Sequence, residues 1–94
     1  MLASFRLVSL PAFERDIRKI LKRNPGLVPL LERLRAILRE DPYNQTRQYD
    51  IKKLSDVPPG DGQWRIRAGD YRLRYDIVGN DVVLHSFRHR KEAY

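Results

Sequence analysis

From Trp64 to Tyr94 the chain reads WRIRAGDYRLRYDIVGNDVVLHSFRHRKEAY, with apolar and charged residues taking turns. A period of two fits a strand with one covered face and one open face, and it does not fit a helix. Gly69-Asp70 and Gly79-Asn80 supply two tight corners, so the stretch is expected to fold back on itself twice. In that arrangement Trp64, Ile66, Leu73 and Tyr75 share the covered face. Arg65, Arg67, Arg72 and Arg74 then gather on the open one. The last strand, Val82 to Phe87, allows two registers: either Val82, Leu84 and Ser86 point inward, or Val83, His85 and Phe87 do. Guanidinium groups held on a rigid sheet form a phosphate-binding surface, which directs attention to RNA or DNA.

The first half follows helical spacing. Phe5-Arg6-Leu7-Val8 reads as a short strand, and Ser9 is placed to cap a helix with Pro11 in its first turn. Phe13, Ile17, Ile20 and Leu21 form one apolar stripe, which Asn24-Pro25-Gly26 stops. A second helix begins near Leu27, carries Leu27, Leu31, Leu34 and Leu38 on one face, and ends at Asp41-Pro42. Both stripes are core-facing, and the basic faces opposite them are solvated. Tyr43 to Arg47 is a polar connector, Tyr49 to Leu54 a short strand, and Pro58-Pro59-Gly60-Asp61-Gly62 a loop. The order β-α-α-β-β-β-β predicts an α+β fold. An N-terminal strand and a helical hairpin pack on a mostly antiparallel sheet of four to five strands, in a single domain over residues 1–94.

Composition narrows the partners. Nineteen Lys and Arg against twelve Asp and Glu give a formal charge of +7, which favours a polyanion. With no cysteine and two histidines, neither thiolate chemistry nor a metal site is expected, and no cofactor is implied. No apolar run reaches transmembrane length, and no basic segment followed by an apolar one opens the chain. A cytoplasmic protein without a membrane partner is expected. The Asn44-Gln45-Thr46 sequon is read as chance.

These elements, with Trp64-Arg65-Ile66-Arg67, the Gly69-Asp70-Tyr71-Arg72 corner and the terminal Arg90-Lys91-Glu92-Ala93-Tyr94, resemble the RelE/ParE toxin superfamily over nearly the whole chain. The resemblance implies a toxin of a type II toxin–antitoxin pair, silenced by a cognate antitoxin. RelE-like members cleave mRNA in the ribosomal A site, using the 2′-hydroxyl as nucleophile and no metal. ParE-like members share the fold and poison DNA gyrase.

The resemblance also assigns roles. Arg65 and Arg67 match a basic pair that contacts the phosphate and its transition state, and Arg72 matches the arginine that holds the scissile phosphate. Arg90 occupies the position of a basic residue near the leaving oxygen, where an arginine acts as a charge stabiliser; a slip in alignment puts Arg88 there instead. Tyr94 matches a terminal tyrosine that serves as a base or stacks on a nucleobase. Lys52, Lys53, Arg74, Arg88 and His89 are expected RNA or ribosome contacts, and His85 is read as structural. Structural readings stand beside these: a solvated strand face with an ion pair to Asp76 for Arg65 and Arg67, an ion pair with Asp70 or Asp76 for Arg72, and a surface position for His89. A ribosome-dependent endoribonuclease leads, a ParE-like gyrase inhibitor is the alternative, and a non-enzymatic nucleic-acid-binding module is the third reading.

Overall fold

The computed structural model describes residues 4–93. The chain runs β1 (Arg6–Ser9), α1 (Pro11–Arg23), a 3₁₀ turn (Pro25–Leu27), α2 (Val28–Glu40), β2 (Ile51–Lys53), β3 (Trp64–Ala68), β4 (Tyr71–Val78), β5 (Asp81–His89) and α3 (Arg90–Ala93). The strands form one five-stranded sheet in the order β1-β5-β4-β3-β2. It is antiparallel except where β1 lies parallel to β5. This is the expected α+β arrangement.

The start of α1 differs from expectation. Ser9 does not cap the helix, because it is the last residue of β1 and pairs with Leu84. Leu10 still donates its N–H to the Leu84 carbonyl at 3.1 Å, so the extended ladder consumes the position before the helix. Leu10 therefore takes the cap without a side-chain hydrogen bond, and Pro11 opens the helix where its missing N–H costs nothing.

The apolar stripes of both helices cover one face of the sheet. Phe13 and Ile17 of α1 and Leu31, Leu34 and Leu38 of α2 meet Ile66, Leu73, Tyr75, Val82, Leu84 and Phe87 from the strands. After α2 the chain turns on side-chain hydrogen bonds. The Asp41 carboxylate accepts from the Gln45 N–H at 2.7 Å and from the Thr46 hydroxyl at 2.6 Å. Asn44, at φ 57°, exchanges hydrogen bonds with the Tyr49 backbone. The sequon residues thus build a turn. Tyr75 donates its buried hydroxyl to the Pro42 carbonyl at 2.7 Å, tying the connector to the sheet. Burial, aided by the Asp41 charge, pushes that phenol far above its ordinary range.

The ambiguity in β5 is resolved by a bulge. Tyr75 pairs with Leu84 and Arg74 with Ser86, which leaves His85 as an extra residue without a partner in the ladder. Val82 and Leu84 face the core before the bulge, and Phe87 faces it afterwards. Each proposed register holds on one side of His85, and neither holds throughout.

Candidate nucleic-acid interface

Strand register assembles the open face. Arg65 lies opposite Arg74 and Arg67 opposite Arg72 across β3 and β4. Arg72 lies opposite Arg88, and Arg74 opposite Ser86, across β4 and β5. Lys52 extends the row as the partner of Arg65. Like charges directly opposite one another destabilise a sheet, so the face needs acceptors. The Asp50 carboxylate bridges two of the arginines, 3.1 Å from Arg65 Nη2 and 2.5 Å from Arg67 Nε. Arg74 donates to the Gly62 carbonyl at 3.0 Å and the Asp61 carbonyl at 2.8 Å.

The partner of Arg65 and Arg67 is therefore Asp50 and not Asp76. Asp76 is engaged beneath the loop that joins β2 to β3. Its carboxylate accepts the N–H groups of Gly60 (3.2 Å), Gly62 (2.9 Å) and Gln63 (3.0 Å), and sits 2.6 Å from His85 Nε2. Burial alone raises such a group. The three N–H donors, with the neighbouring His85, outweigh that and hold Asp76 below the ordinary carboxylate range. Gly62 sits at φ +75°, and a Cβ there would lie 3.2 Å from that of Arg74 and 3.3 Å from that of His85. Glycine lets the loop lie directly on the sheet.

Beside this loop a groove of about 240 Å³ is lined by Asp61, Arg72, Arg74, His85, Ser86 and Arg88. The bulge is what brings consecutive residues His85 and Ser86 to it together. Among the described residues no group of three or more His, Cys, Asp or Glu side chains is set to hold a metal ion.

The expected site residues divide by position. Arg72, Arg74 and Arg88 line the groove, and Arg65, Arg67 and Lys52 continue the same face. Arg88 also approaches Asp16 of α1, its Nε 3.7 Å from the carboxylate. Arg90 lies past the strand end, with its N–H on the Asp70 carbonyl and its Nε 3.7 Å from the Asp70 carboxylate. Of the two basic residues weighed for one role, Arg88 is the one that shares the groove with Arg72. Lys53 and His89 sit elsewhere. Lys53 pairs with Trp64 and places its ammonium 5.7 Å from that ring's centroid. His89 packs edge-on against Tyr71 beside Ile20 and Arg23. The period of two that gathers the arginines sends these two to the opposite side. Tyr94 lies outside the described residues. Asp50, Asp61, Ser86 and His85, which the sequence pattern does not single out as site residues, also lie on this face.

Comparisons with known proteins identify the family and the fold. The family model described as the ParE toxin of type II toxin–antitoxin system, parDE, matches residues 8–94. Toxin RelE3 of Methanocaldococcus jannaschii is 28% identical over 85 residues, spanning 87% of this chain and 91% of the relative. The crystal structure of a RelB–RelE antitoxin–toxin complex from Methanococcus jannaschii matches with a TM-score of 0.61 and 25% identity, over 93% of this chain and 94% of that one. The fold is that of the RelE/ParE toxin superfamily. The chain belongs to the ParE toxin family of type II toxin–antitoxin systems and is a toxin of that class.

Proposed function

We propose that this toxin is a ribosome-dependent endoribonuclease that cuts mRNA by attack of a 2′-hydroxyl on the adjacent phosphate. The observation that carries the reading is the arginine face: Arg65, Arg67, Arg72, Arg74 and Arg88 in register across three strands, with Arg72, Arg74 and Arg88 around one groove. Attack on phosphorus builds negative charge on the non-bridging oxygens. Fixed guanidinium groups stabilise that charge without reorganising, and each well-placed donor contributes on the order of 10²–10³-fold in rate. Arg72, flanked by Arg67 and Arg88 on its two neighbouring strands, is the phosphate holder. Arg65, Arg67 and Lys52 extend the surface along the RNA backbone, and the similarity to a protein named as a RelE toxin supports the same chemistry. A cognate antitoxin is the second partner, by analogy with the RelB–RelE complex.

The test is to express the chain from a tight inducible promoter and map new mRNA 5′ ends, with a parallel assay on purified ribosomes. Cuts at fixed codon positions are expected to require the ribosome. Arg72→Ala is expected to slow them by about 100-fold or more. Growth arrest without new 5′ ends would overturn the reading and point to DNA gyrase as the target.

A further inference from the structure

We propose that His85 is the general base of this toxin, taking the 2′-hydroxyl proton, with Asp76 as its positioning residue; the inference rests on the endoribonuclease reading above. A regular strand would turn either His85 or Ser86 away from the groove, and the extra residue places both on it. A bulge that re-aims a side chain beside a charged groove is a structural feature with a purpose.

Asp76 then fixes the imidazole. With three backbone N–H donors already on its oxygens, the carboxylate is an acceptor only, so the nitrogen 2.6 Å away, Nε2, carries the proton. The other ring nitrogen, Nδ1, is then a free base in the neutral imidazole. It has no hydrogen-bond partner among the described residues. The side chain is 21% exposed, so the ring is held on the groove wall and still reachable. Among the described residues, the charged groups that face it come from two strands and one loop. Asp76, Arg72 and Arg74 come from β4, Arg88 from β5 and Asp61 from the loop. Asp61 is the other proton acceptor on the groove, but at neutral pH a carboxylate is a weaker base than an imidazole.

The step balances. The 2′-oxygen bonds to phosphorus as its proton moves to His85 Nδ1, and the P–O5′ bond breaks to leave a 2′,3′-cyclic phosphate. The departing 5′-oxygen takes a proton from solvent. The imidazolium, stabilised by the Asp76 charge beside Nε2, later returns its proton to solvent.

The experiment is single-turnover cleavage on mRNA-programmed ribosomes from roughly pH 5 to 9, across the range in which imidazoles titrate. Wild type and His85→Gln are compared, with circular dichroism and a thermal melt on both. Glutamine keeps an N–H donor for Asp76 and cannot take up a proton. The expected result is a fall of between about 10² and 10⁴-fold in rate, with substrate binding little changed and the acid limb of the pH profile abolished. In wild type, the pH at which the rate falls is expected to coincide with the titration of His85 read by ¹⁵N NMR, a measurement that holds even where the variant does not fold. A variant that cuts as fast as wild type, or keeps the acid limb, overturns the proposal and leaves the endoribonuclease reading intact. A wild-type protein that cuts nothing overturns both.

Discussion

The Asp76 carboxylate accepts three backbone N–H groups and lies against His85 in a place almost closed to water. Replacing it with alanine would leave those donors buried without a partner, which costs on the order of 1–3 kcal/mol per unsatisfied group. Asp76→Ala is expected to lower the stability measured by urea unfolding by about 3 kcal/mol. The pH dependence has a definite sign. The folded state holds Asp76 and Asp41 below their ordinary range; in both, burial pushes upward and hydrogen bonds win. Their stabilisation is fully present above the unfolded carboxylate value of about 3.9 and disappears as pH falls through the lower folded values. Urea midpoints measured below about pH 4 should therefore fall less steeply in Asp76→Ala than in wild type. None of this was visible in the sequence. There Asp76 was one charged residue in an alternating strand, because the N–H groups that hold it belong to a loop more than ten residues away in sequence.

At the scale of elements, the loop between β2 and β3 and the bulge in β5 act together. Gly62 presses the loop onto Arg74 and His85, and the carbonyls of Asp61 and Gly62 hold the Arg74 guanidinium. A Gly62→Ala substitution meets both a close approach and a left-handed φ of +75°. The backbone penalty alone is about 1–2 kcal/mol. The expected outcome is a melting temperature lowered by several degrees, with a shifted His85 resonance. A matching Gly60→Ala has nothing within 4 Å of its added Cβ, so it should carry the backbone penalty and reach His85 only through its N–H on Asp76, with a smaller shift of the His85 resonance. The hairpin corners were legible because Gly69 and Gly79 lead two-residue turns, and both adopt positive φ. The bulge was not legible. An extra residue leaves the composition of the strand unchanged and appears only as a shift between the pairs Tyr75–Leu84 and Arg74–Ser86.

For the whole molecule, the formal charge of +7 matters through its distribution. One face of the sheet is covered by the helical hairpin, and the other carries the arginine rows. Binding to single-stranded RNA should therefore fall steeply with salt. Five phosphate contacts correspond to a slope of about −3.5 in log K against log salt, and removing Arg72 should reduce it by about 0.7. A slope near zero in a filter-binding titration would separate the arginine face from RNA altogether. The sequence by itself determined the α+β class, the helical hairpin and the gathering of Arg65, Arg67, Arg72 and Arg74, because periods of 3.6 and 2 are local properties written into neighbouring residues. Only the tertiary structure decided that Asp50 bridges Arg65 and Arg67, that Arg88 joins Arg72 while His89 turns away, and that His85 meets Asp76. Those contacts depend on strand register and on one inserted residue, which are fixed when distant segments pair and not by the order of residues within any one of them.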